Sequence, residues 1–231
     1  MSKLPSKSTS TDVSAFLEKL ARTPALRTGG AAGRLIFAMD ATASREPSWD
    51  RACQIQAEMF KETATLGGLE VQLVYYRGFG ECKASKWADS ADKLLRAMTG
   101  VRCLGGTTQI GRVLQHAISE TERRKVNALV FVGDCMEEDI DALCDLAGKL
   151  GVLGVPVFVF QEGNNPVATR AFPQIARLSG GAWCRFDSGS AQQLRELLSA
   201  VAVYAAGGRV ALEHYGKRTG GAVLQIARQV K

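Results

Sequence analysis

Arg34-Leu-Ile-Phe-Ala-Met-Asp-Ala-Thr-Ala-Ser44 is the segment around which the rest of the chain falls into order. Residues 35–39 form a short apolar run, preceded by Gly29, Gly30 and Gly33. Such a run predicts a strand buried on both faces, as in the middle of a parallel sheet. It stops abruptly at Asp40, Thr42 and Ser44, three oxygen-bearing side chains at alternate positions. Alternation places all three on one side of an extended segment. A carboxylate with two hydroxyls suits a hard cation such as Mg²⁺, which prefers oxygen ligands and retains water. Taken alone, the same D-x-T-x-S is equally the polar exit of a buried strand before a helix cap.

Working outward, buried strands and amphipathic helices alternate. Pro47 and Ser48 signal a helix start, with Ala52, Ile55, Met59 and Phe60 as its apolar face, ended by Gly67-Gly68. Residues 69–76 read as a second strand, and 81–87 as a short antiparallel edge strand beyond a glycine-bearing turn. A helix over 89–98 leads to Gly105-Gly106-Thr107, then a helix with Ile110, Val113, Leu114, Ala117 and Ile118 on one side. Residues 126–132 are a further apolar strand, ending in Gly133-Asp134. A helix through Ile140, Leu143, Cys144, Ala147 and Leu150 follows, then a strand over 156–160. The next helix, interrupted or started by Pro173, stops at Gly180-Gly181; a last strand covers 182–186. A helix from Ser190 ends at Gly207-Gly208. Two more helices are expected outside this body, over 12–20 and 222–230. The pattern predicts an α/β fold, a doubly wound and mostly parallel sheet with helices on both faces. Ligands in such sheets bind at the carboxyl ends of strands where strand order reverses, and Asp40 and Asp134 both occupy strand ends.

Three segments thus converge: Asp40/Thr42/Ser44, Gly105-Gly106-Thr107 and Asp134. In this arrangement the chain resembles a von Willebrand factor A domain, whose metal-ion-dependent adhesion site reads D-x-S-x-S, then a separate Thr, then a separate Asp. Asp40, Thr42 and Ser44 match the first motif, Thr107 the Thr, and Asp134 the Asp after a later strand. Thr42 stands for the commoner Ser, and Gly133 where a Thr often precedes the last Asp; neither change removes an oxygen ligand. The similarity spans residues 34–206, and the flanking segments resemble those of uncharacterised bacterial von Willebrand A proteins. It implies a Rossmann-like fold and a Mg²⁺ (or Mn²⁺) ion with one coordination position left for a partner's Glu or Asp. Cytoplasmic members of the wider superfamily work beside AAA+ ATPases or in multiprotein assemblies, an expectation by analogy.

The rival class is a phosphoryl-transfer enzyme using Asp40. The haloacid-dehalogenase pattern requires D-x-D, where this chain has Thr42; a receiver domain requires a late Lys, where it has Gln161 and Glu162. No G-x-x-x-x-G-K-[ST] is present. Hydroxyl nucleophiles need a base, and the two histidines, His116 and His214, sit off the apolar helix face and in the tail. Zinc is disfavoured for want of a Cys/His cluster.

Composition agrees with a soluble domain: 46% hydrophobic, 23% charged. The longest apolar run, 150–160, contains two glycines and Pro156, short of the ~18 residues of a membrane span. No apolar leader follows Met1, and the six cysteines include no C-x-x-C, so a reducing, cytoplasmic setting is expected. The net charge of +6 arises at the ends. Residues 1–30 carry five basic and two acidic side chains, residues 209–231 five and one. The expected organisation is an N-terminal extension (1–30), a von Willebrand A-like domain (31–208) and a basic extension (209–231). Nucleic-acid binding is not expected, because the basic ends read as solvated termini without a run of aromatic residues on which bases would stack.

Overall fold

The computed structural model describes residues 32–63, 66, 68–186 and 191–219. In chain order, β1 (Gly33–Asp40) is followed by a 3₁₀ turn (Ala43–Arg45), α1 (Glu46–Ile55), α2 (Ala57–Thr63), β2 (Leu69–Arg77) and β3 (Glu81–Ala84). Then come α3 (Ala91–Thr99), α4 (Ile110–Arg123), β4 (Ala128–Gly133), α5 (Ile140–Val152) and β5 (Val157–Glu162). The series closes with α6 (Pro166–Leu178), β6 (Ala182–Phe186) and α7 (Ala191–Thr219). The six strands form one sheet in the order β3-β2-β1-β4-β5-β6, parallel except for the β2–β3 pair.

β1 is buried along its whole length because both faces of the sheet are covered. Leu35, Phe37 and Met39 point into one core with Trp49, Met59, Leu94, Leu198, Val201 and Tyr204. Ile36 and Ala38 point into the other, with Val113, Leu114, Leu143, Ala147 and Phe172. The chain leaves β1 towards β2 on one side and returns to β4 on the other, so strand order reverses between β1 and β4. The crevice at their carboxyl ends is where an open α/β sheet receives ligands, and Asp40 closes β1 there.

The helix expected after β1 is divided in two. At Gln56, Met59 N–H bonds the Gln56 carbonyl three residues back at 3.2 Å, a local 3₁₀ tightening that re-aims α2. The edge strand is shorter than the 81–87 expected. Ser85 N–H still bonds Leu73 O at 2.8 Å, but Ser85 Oγ takes the Leu73 N–H and donates to Lys86 O, so the ladder breaks off there until Val71 and Ala88 pair again. Pro173 neither starts nor interrupts α6: Asn165 caps the helix by accepting from Val167 and Ala168 N–H, and Pro166 opens it. The last helix breaks at Gly208, whose φ of 71° suits glycine, and helix resumes to Thr219. The helices expected over 12–20 and 222–230 lie outside the described residues. No helix among the described residues is long and apolar enough to cross a membrane.

Candidate metal centre

Asp40 is fully buried, and its Oδ1 accepts the Thr42 N–H at 2.7 Å. The turn that follows directs the Thr42 and Ser44 hydroxyls to within 3.4 Å of each other. Ser44 Oγ, on the solvent side, donates to Asp134 Oδ2 at 2.9 Å. Asp134 follows β4 directly, across the crevice from Asp40. Four of the five expected ligands are therefore brought together. Each carboxylate keeps one buried oxygen, Asp40 Oδ2 and Asp134 Oδ1, with no hydrogen-bond partner. An unpaired buried carboxylate oxygen is costly. Two from converging acids, ringed by hydroxyls, fit a hard divalent cation.

The electrostatics agree with that fit. Burial pushes the Asp40 carboxyl above its ordinary value. The Asp134 charge adds to the shift, while Thr42 and the Arg45 guanidinium oppose it. Arg45, 1% exposed, donates to Glu162 at the end of β5, and Ser48 Oγ donates to the same carboxylate. Tyr76 stands opposite Asp40 in the β1–β2 register. It is fully buried, and burial first, then the facing Asp40 charge, holds its phenol well above the usual range. Carboxylate oxygens of Asp40 and Asp134 and the Sγ of Cys135 lie within 4.8 Å of one another. Burial and the Asp134 charge push the Cys135 thiol up to about 12.

No protein-family model matches the chain, and no curated protein matches it in sequence. Solved structures do. A von Willebrand factor type A protein from Catenulispora acidiphila superposes with a TM-score of 0.61 at 15% identity, over 74% of this chain and 43% of that one. The SpRpn10 VWA domain gives 0.57 at 14%, over 77% of this chain and 98% of its own. Proximal thread matrix protein 1 of the mussel byssus, solved with zinc in its MIDAS motif, gives 0.59 at 16%, over 79% and 46%. The fold is that of a von Willebrand factor A domain. The chain spans less than half of the Catenulispora and byssus proteins, so the likeness concerns this domain alone.

Within the von Willebrand A fold, the loop carrying Thr107 is tied to the site from outside. Leu104 N–H bonds Ala41 O at 3.0 Å and Thr107 N–H bonds Gly78 O at 3.2 Å. Gly106 packs so closely on Gly78 that a Cβ there would overlap the Gly78 carbonyl. Thr107 itself is exposed, and among the described residues its hydroxyl bonds no member of the group. Its neighbour Thr108 is buried: its Oγ1 accepts the Glu137 N–H at 3.1 Å, and its N–H donates to the Glu137 carboxylate at 3.2 Å. Two consecutive threonines differ here only by which way the backbone turns.

Of the two acids that follow Met136, Glu137 holds Thr108 and Glu138 caps α4. Glu138 accepts from Ile110 N–H at 2.5 Å and Gly111 N–H at 2.8 Å, complementing the positive helix end. Asp139 caps α5 by accepting from Ala142 N–H at 2.8 Å. His116 bonds Gln72 at 2.9 Å, at the level of Ile36 in mid-sheet, away from the Thr42 and Ser44 hydroxyls. Arg45, Tyr76, Glu162 and Cys135 were not singled out from sequence. Only Cys135 carried a usable signal, its adjacency to Asp134.

Proposed function

We propose that this domain is a metal-dependent protein-binding module. Asp40, Thr42, Ser44 and Asp134 hold a divalent cation, Mg²⁺ or Mn²⁺ on their oxygen donors, and an acidic side chain of a partner protein completes its coordination. The observation that carries this reading is the pair of buried, unpartnered oxygens, Asp40 Oδ2 and Asp134 Oδ1. The cation supplies a fixed positive charge that attracts a carboxylate. The protein supplies the orientation. Asp40 anchors the buried side, and Ser44, exposed and bonded to Asp134, marks the open one. Thr107 provides the fifth oxygen from the glycine loop, while Thr108 positions that loop against Glu137.

Two apolar side chains flank this end of the sheet: Phe79, 87% exposed in the β2–β3 turn, and Leu104, 48% exposed ahead of Gly105. Both loops are fixed by the bonds to Gly78 and Ala41, so these side chains are presented at low entropic cost. They suit an acidic partner residue with apolar neighbours, such as a subunit of a multiprotein or AAA+ assembly. A buried Asp40 whose charge is disfavoured suits cation ligation better than phosphoryl transfer in the open. Titration calorimetry of the whole chain with MgCl₂ and MnCl₂ tests the reading. One saturable site is expected, lost in Asp40→Asn and weakened more by Thr107→Val than by Thr108→Val. Absence of any cation binding with Asp40 intact overturns it; metal-dependent phosphate release lost in Asp40→Asn replaces it with the enzymatic alternative. Capture of partner proteins with and without EDTA then identifies the ligand.

A further inference from the structure

We propose that Cys135 is a ligand of the same centre, making this site take a thiophilic divalent ion such as Zn²⁺ or Co²⁺ in preference to Mg²⁺. The inference rests on the cation-centre reading above and revises its ion, from one held by oxygen donors alone to one that also binds sulfur. Cys135 Sγ and one carboxylate oxygen each of Asp40 and Asp134 lie mutually within 4.8 Å. Asp40 is fully buried in this group, and its Oδ2 has no partner.

Adjacent residues of a strand point to opposite faces, so Asp134 and Cys135 could not share an ion inside β4. β4 ends at Gly133, and the chain bends at Asp134, which lets both side chains turn to one point. In a tetrahedral site, oxygen at about 2.1 Å and sulfur at about 2.3 Å from the ion lie roughly 3.6 Å apart. The separation, 4.8 Å or less, therefore closes by at most about 1.2 Å on binding, within the reach of side-chain rotation. Coordination takes the sulfur as thiolate and releases one proton to solvent. Oxygen donors alone favour Mg²⁺, whereas one thiolate moves preference towards later first-row ions. Met136 follows, buried in the core, and fixes the backbone that presents the thiol.

Cobalt reports the sulfur directly. The whole chain, reduced, is titrated with CoCl₂ and followed by calorimetry and by the near-ultraviolet thiolate-to-cobalt charge-transfer band. The parent is expected to develop that band up to one equivalent. Cys135→Ser and Cys135→Ala are expected to lose it and to bind Zn²⁺ more weakly by at least the roughly 10–100-fold that an outer-shell partner is worth, so that the ratio of Zn²⁺ to Mg²⁺ affinity falls in both. Far-ultraviolet circular dichroism confirms that both variants fold. If cobalt binds stoichiometrically without the band, or the band survives in Cys135→Ser, sulfur at position 135 is no ligand and this inference fails while the cation centre stands. If neither Co²⁺ nor Mg²⁺ binds, both readings fail.

Discussion

β1 carries a buried charge at each end, and the two ends are treated in opposite ways. At the start, Arg34 has ion pairs to Glu70 and Glu120 at 3.4 Å each, donates to the Arg124 carbonyl at 2.5 Å, and stacks its guanidinium 3.8 Å from the Trp87 ring. Trp87 Nε1–H also donates to Glu120, at 3.0 Å. At the finish, Asp40 accepts one backbone N–H and keeps a buried oxygen with no partner. The Arg34 charge is met by two carboxylates, one from β2 and one from α4, with a carbonyl and an indole ring beside them. The Asp40 carboxylate faces the like charge of Asp134 instead. The difference between the ends separates architecture from site more sharply than burial does, since both residues are buried.

The largest test breaks the completed end. Arg34→Ala leaves Glu70 and Glu120 without their shared cation and is expected to destabilise by roughly 3–5 kcal/mol, the cost of breaking a buried pair. Urea denaturation measures it; a loss below about 1 kcal/mol would place the network with ordinary surface pairs.

The next test fills the incomplete end. At about 100 times its dissociation constant, a divalent cation is expected to add roughly 2.7 kcal/mol. In a chain of this size that raises the melting temperature by roughly 5–11 °C. Asp40→Asn and Asp134→Asn are expected to abolish the rise. In EDTA, Asp134→Asn also removes carboxylate repulsion and is expected to melt no lower than the parent. A variant that melts well below the parent in EDTA, yet keeps the cation shift, makes Asp134 a structural cap.

The two ends are also expected to respond oppositely to pH. Burial opposes ionisation of Glu120, but the Trp87 hydrogen bond and nearby His116, Arg34 and Arg123 outweigh it and lower its pKa below the ordinary 4.5. Its contribution is present above that value and is lost as pH falls through the lowered one. Asp40 is raised above the ordinary 3.8, chiefly by burial. In EDTA its contribution is present below that value and is lost as pH rises through the raised one. Stability differences between parent and Glu120→Gln, and between parent and Asp40→Asn, measured across pH 3 to about 8, should slope in opposite directions. Equal slopes remove the contrast. The smallest effect is at the rim: Phe79→Ser should leave stability within about 0.5 kcal/mol, because that side chain is 87% exposed. A larger loss would make Phe79 part of the fold instead of the docking face.

Much of this was legible in the chain. Hydrophobic runs at 35–39 and, Asn127 apart, 126–132 announced strands covered on both faces, because near-continuous apolar runs suit strands buried on both sides. The polar residues that stop them marked the ligand end of the sheet. Periodicity located α4 by Ile110, Val113, Leu114 and Ala117, all buried as expected. It did not show the break at Gln56 or the end of the ladder at Ser85, because each depends on one or two individual hydrogen bonds and not on a repeating pattern.

What the sequence determined by itself was the alternation of strand and helix, and the placement of Asp40, Thr42, Ser44 and Asp134 at strand ends. These follow from short-range patterns of apolar and polar side chains. What only the tertiary structure decided was which groups face each other across the crevice. Strand order put Asp134 beside Asp40; a bend after β4 brought Cys135 to the same point; Thr107 stayed exposed while its neighbour Thr108 was buried; and Glu138 capped a helix that precedes it in the chain. Such pairings join residues ninety and more positions apart. They are set by how packed layers meet in space, and no local pattern records them.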